Sequence, residues 1–160
     1  MSLAPNRFMQ SVHTEFPDNS DMKIVSLYAQ GHSYPGYGDR HVLLQWDNGI
    51  DQSGSTVTQI VQLSGQVGSY AFYHPVVKRR SKRAYKENVY YELGAFPRVQ
   101  RDLIVELATK VEFSATSVVN GCRAWTRDLL QAMVQAGLIS QWRFEELEEE
   151  IPLVKRRPEA

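Results

Sequence analysis

The sequence lacks most of what would mark a disulfide scaffold, a metal protein, a membrane protein or a polyelectrolyte. A single cysteine in 160 residues forbids an internal disulfide, and no Cys/His cluster with metal-ligand spacing accompanies it. Eighteen Lys and Arg residues balance eighteen Asp and Glu, so no global charge recruits nucleic acid or an anionic membrane. No apolar run is long enough to cross a bilayer. The opening "MSLAPNRFMQSVHTEFPDNSD" lacks the continuous apolar core of a signal peptide. A reducing, cytoplasmic setting is the expectation. No internal repeat is visible and nothing marks a second domain.

The chain is long enough to build a proper core. Residues 1–20 are polar, contain two prolines and show no periodicity, which predicts a flexible arm. One α+β domain is expected over 21–151, followed by a loose tail at 152–160. Segments rich in β-branched and aromatic residues predict five strands, at 22–30, 40–46, 55–63, 69–77 and 88–96. A turn is expected at Asp47–Gly49, another at "SGQVG", and Pro75 suggests that the fourth strand lies at an edge. A regular second strand puts His41, Leu43 and Gln45 on one face and Val42, Leu44 and Trp46 on the other.

After Pro97 the period changes. Val99, Leu103, Ile104, Leu107 and Val111 recur at helical spacing, with Pro97 suited to the first turn. A second helix is expected from Asn120 as N-cap, with Trp125, Leu129, Leu130, Met133 and Val134 as its apolar stripe and Gly137 as its stop. Ser140 caps a short third helix that Pro152 ends. Strands first and helices afterwards predict a mostly antiparallel sheet of about five strands covered by two or three helices.

The lone thiol, Cys122, falls at the start of the second helix. Unsatisfied N–H groups and the helix dipole there favour thiolate, and Gly121 leaves backbone room for an approaching substrate. The same N–H groups are suited to hold an oxyanion, but a nucleophilic thiol also needs a base. Of the four histidines, His41 is the best candidate, because a strand directs its ring. His13 lies in the arm, His32 in the loop "GHSYPGYGD", and His74 beside Pro75. The glycines of that loop do not lead from a strand into a helix, so they form no phosphate cradle; the loop reads as surface, placed where a lid over His41 would sit. The bland alternatives are a buried, inert cysteine, a hydrogen-bonded structural histidine and a core Trp125.

"DRHVLLQW", followed some eighty residues later by "NGCRAWTRDLL", resembles the circularly permuted papain-like proteins. Lecithin–retinol acyltransferase relatives and PPPDE-type peptidases belong to that class. More closely, residues 22–139 are similar to a group of small fungal proteins of unknown function with a strand histidine and a later G-C-R-x-W helix. His41 matches the first element, and Gly121, Cys122, Arg123 and Trp125 match the second; Val42 stands where the group often has an aromatic residue. The resemblance implies a permuted papain-like fold, with Cys122 as nucleophile and His41 as base. Gln59, Gln62 and His74 are the candidates to orient the imidazole. Gln62 enters the expected catalytic set, and His74 joins Gly121, Arg123 and Trp125 as expected substrate-binding residues.

The function expected is a cysteine-dependent hydrolase or transferase, cyclising reactions included, acting on a small-molecule, lipid or peptide acyl group without metal or organic cofactor. The rivals are a non-catalytic small-molecule or protein-binding domain of the same fold, and a biosynthetic enzyme of fungal metabolites that uses the pocket without covalent chemistry. The basic run "KRRSKR", Lys78–Arg83, is either a nucleic-acid contact or a solvated hairpin loop, and the zero net charge favours the latter.

Overall fold

A computed structural model describes residues 11–30, 41–80, 86, 88–151 and 153–159. Their principal elements are β1 (Lys23–Ala29), β2 (Val42–Ile50), β3 (Thr56–Val61), β4 (Ser64–Gln66), β5 (Ser69–Ala71), β6 (Val76–Arg80) and β7 (Val89–Phe96), then α1 (Arg98–Lys110), α2 (Cys122–Gln135) and α3 (Gln141–Glu150). The fold is α+β. Five strands form one antiparallel sheet in the order β6-β3-β2-β1-β7, and β4 and β5 form a separate hairpin.

The two faces of the sheet differ as the alternation predicts. Val42, Leu44 and Trp46 join Val25, Leu27 and Val61 in the larger core cluster, together with Ile104, Trp125, Leu129, Met133 and Phe144 from the helices. Leu43 faces the other way, with Tyr28, Ile60 and Val76 in a smaller cluster. Helices therefore cover one face, while the opposite face carries a thinner apolar patch.

Several local expectations change. Asp47–Gly49 is not a turn: β2 runs on to Ile50 through a register shift opposite β3, with Gly49 at φ 151°. The turn comes later, where Asp51 accepts from the backbone N–H groups of Ser53 and Ser55. The stretch 69–77 is two strands, β5 and β6, separated by a segment that includes the cis His74–Pro75 bond. On α1 the buried line is Arg101, Ile104 and Ala108, while Val99 is 73% exposed. A charged residue at the centre of a buried face is what hydrophobic periodicity misses.

Both chain ends that were expected to be loose are tied down where they are described. The Val12 N–H donates to Val77 O at 2.9 Å, and Asp18 is buried against Arg101, Lys23 and Trp46. At the other end, Asn120 clamps Arg157 through both its side-chain oxygen and its amide nitrogen. Asn120 is therefore not the N-cap of α2; Gly121 holds that position without a side-chain cap bond. Ser140 does cap α3, accepting from the Arg143 N–H at 3.0 Å. Residues 1–10, the loop 31–40 with His32, the Ser81–Arg83 half of the basic run, and Pro152 lie outside the described residues. No helix among the described residues is long and apolar enough to cross a membrane.

Candidate active site

His41 sits one residue before β2, and its carbonyl accepts from the Gln30 N–H at 2.9 Å, which ties its backbone to the end of β1. Gln62 follows β3 directly. Leu44 pairs with Val61, so one step further Leu43 lies opposite Gln62, and His41 becomes the diagonal neighbour of Gln62 on the same face. The side chains meet: His41 Nε2 is 2.7 Å from Gln62 Oε1. A glutamine carbonyl oxygen only accepts, so Nε2 carries the proton and Nδ1 carries the lone pair.

Cys122 lines the same cavity from the other side of the sheet. On α2 it shares the inward stripe with Trp125, Thr126, Leu129, Leu130 and Met133, and it is 7% exposed. Its height is set by the segment before the helix. The hairpin β4–β5 is bonded to that segment through Gly68 N–H to Ser117 O (2.8 Å) and Tyr70 N–H to Ala115 O (2.7 Å). Ser117 Oγ in turn accepts from the Asn120 N–H at 2.9 Å and donates to Glu159. The hairpin leaving β3 and the turn entering α2 are thus one hydrogen-bonded unit at the strand ends. Trp125, buried against Phe72 with ring centroids 5.5 Å apart, sets the rotation of the helix.

A cavity of about 560 Å³ opens between these parts, on the sheet face opposite the helices and over its end. Cys122, His41 and Gln62 all line it. Tyr28, Leu43 and Ile60 form an apolar floor, the β4–β5 hairpin one wall, and Lys78 and Arg80 a cationic wall. Burial holds the pKa of His41 below its ordinary value; the bond to Gln62 works in the opposite direction, and the charges of Arg80 and Lys78 reinforce the lowering. The ring is therefore neutral at pH 7, with one nitrogen free to take a proton.

The other expected site residues fall elsewhere. Trp125 is in the core, and Gly121 and Arg123 flank Cys122 without lining the cavity. His74 lines a second cavity of about 440 Å³, with His13, Gln59, Asp18, Arg98 and Asp102. Of the three candidates to orient the imidazole, only Gln62 is bonded to it: Gln59 accepts from Asn48 and His74 lies in the other cavity. Lys78 and Arg80 were read as part of a charge run, and strand alternation was the signal that could have turned them inward. Nothing in the local sequence signalled the Ser117–Asn120 clamp.

No protein-family model matches this chain, and no curated protein or solved structure matches it.

Proposed function

We propose that the protein is a cysteine-dependent acyl-group hydrolase or transferase of the permuted papain-like kind, with a histidine at the entry to β2 preceding the helix-borne cysteine. The observation that carries this reading is that the one thiol and a glutamine-bonded imidazole line a single cavity. In the first half-reaction the Cys122 thiol attacks the acyl carbon and its proton passes to His41 Nδ1, while the carbonyl π electrons move onto oxygen. Backbone N–H groups in the first turn of α2 stabilise that oxyanion. Collapse re-forms the carbonyl and expels the leaving group, which takes the proton from His41 and leaves a Cys122 thioester. Water or a second nucleophile then gives its proton to His41 as it attacks the thioester. The C–S bond breaks, and Cys122 recovers its proton. Gln62 is a positioning residue that keeps the Nε2 proton in place so that Nδ1 stays the basic nitrogen.

Alkylation tests this directly, because Cys122 is the only cysteine and a single labelling rate reads a single site. Relative to the urea-unfolded chain, folded protein reacts with iodoacetamide about tenfold faster or more at pH 7, and His41→Ala removes most of the gain. Equal rates for folded wild type and His41→Ala would refute the acyl-transfer reading. The apolar floor also suits a binding domain without covalent chemistry. Ligand-induced stabilisation that survives Cys122→Ser, with no thiol activation, would select that reading.

A further inference from the structure

Many cations among the described residues have a carboxylate partner. Arg79 pairs with Glu15 and Asp51, Arg98 with Asp102, Arg101 with Asp18, Arg127 with Glu148, Arg143 with Glu146 and Arg156 with Asp128. Lys78 and Arg80 do not, among the described residues. They alternate with the outward-turned Arg79 on β6, on the same face as Val76, so both enter the cavity. The Arg80 guanidinium lies 5.4 Å from the Tyr28 ring centroid, and its Nε is buried with no hydrogen-bond partner. No Asp or Glu lines this cavity among the described residues.

Two cations held side by side in a partly desolvated cleft, with no counter-charge, are costly unless an anion completes them. The electrostatics run the same way: burial and the charge of Arg80 lower the pKa of Lys78, and both cations add to the burial that lowers that of His41. From this placement we propose that the cavity takes an acyl substrate bearing an anionic group, a carboxylate or a phosphate, seated on Lys78 and Arg80 while its acyl carbon lies at Cys122. The inference rests on the acyl-transfer reading for the reacting end of the substrate, and on the cation pair alone for the anionic end.

The test compares two reagents that differ chiefly in charge. Iodoacetate and iodoacetamide both alkylate Cys122 by forming a C–S bond and releasing iodide, and only iodoacetate is an anion. The ratio of their rates in folded protein exceeds the ratio in the urea-unfolded chain by about tenfold at low salt. It falls to the unfolded ratio in Lys78→Gln/Arg80→Gln, with intermediate values for the single variants, which serve if the double variant fails to fold. His41→Ala slows both reagents and leaves the ratio high, which separates failure of the base from failure of the anion seat. A folded ratio at or below the unfolded one, or a ratio indifferent to Lys78→Gln and Arg80→Gln, overturns the proposal.

A second arm does not depend on thiol chemistry. In Cys122→Ser, glutarate and inorganic phosphate are titrated while the His41 ring is followed by NMR. Saturable binding of either anion raises the His41 pKa, glutaramide has no effect, and the response disappears in Lys78→Gln/Arg80→Gln. Preference between the two identifies the anionic group as carboxylate or phosphate. Silence of His41 toward both anions overturns the proposal, even if Cys122 proves to be an activated nucleophile.

Discussion

Asp18 is the residue whose loss is expected to be felt most widely. It lies in a segment that the sequence marks as a polar arm, yet its side chain is only 7% exposed. Arg101 donates to it from Nε at 3.0 Å and Nη2 at 2.9 Å, Lys23 from Nζ at 2.8 Å, and Trp46 from Nε1 at 3.1 Å. Burial by itself raises the carboxyl pKa, but the hydrogen bonds from Arg101 and Lys23 outweigh it and lower the value from 3.8 to about 2. Since the folded value lies below the unfolded one, the stabilisation is present above about pH 4 and is lost as pH falls toward 2. A shift of that size corresponds to about 2 kcal/mol. Asp18→Asn also leaves the fully buried Arg101 without a counter-charge, its bonds to the carbonyls of Asn19, Asp21 and Phe96 remaining, so the expected loss at pH 7 is about 3 kcal/mol, or roughly 10 °C in Tm. Urea unfolding followed by tryptophan fluorescence at pH 7, 5, 3 and 2 measures this. Wild type and variant should be well separated at pH 7 and converge below pH 4. A loss under about 1 kcal/mol at pH 7, or a gap that persists unchanged at pH 2, would show that the network is not the anchor described here.

Two further expectations concern the cavity. The His41 ring should titrate below pH 6.5, and Gln62→Leu should depress its midpoint further by removing the one interaction that raises it. Because the folded value is the lower one, His41 contributes stability above pH 6.5 that is lost as pH falls toward its folded midpoint, and alkylation of Cys122 should slow over the same range. NMR titration and rate–pH profiles read both, and a midpoint above 6.5 contradicts the assignment. Gly65 lies in the middle of β4, opposite Tyr70, at φ 105°, and a Cβ there would stand 2.0 Å from Ser69 O. Gly65→Ala is therefore expected to cost about 1–3 kcal/mol in urea unfolding; an unperturbed midpoint would mean that the cavity wall yields more easily than its geometry implies.

Chain-local physics made much of this molecule legible. Alternation in β2 separated Leu43 from Leu44 and Trp46, because the side-chain period of a strand is two whatever surrounds it. Ser140 and Gly137 marked helix ends, because capping is a matter of a few adjacent residues. Cys122 and His41 stood out as a thiol at a helix start and an imidazole at a strand, and those two residues do line one cavity. What stayed hidden depends on partners far apart in the chain. Asp18 looked like part of an arm until Arg101, eighty-three residues later, closed on it. Asn120 looked like a cap because its use as a clamp on Arg157 requires the C-terminal segment to return. Lys78 and Arg80 looked like surface charge, since only the β4–β5 hairpin and the Tyr28 ring make their face an interior. Gln59, Gln62 and His74 were equivalent in one dimension. The antiparallel register of β2 and β3 chose Gln62, because hydrogen-bond pairing between strands decides which side chains become neighbours across a sheet.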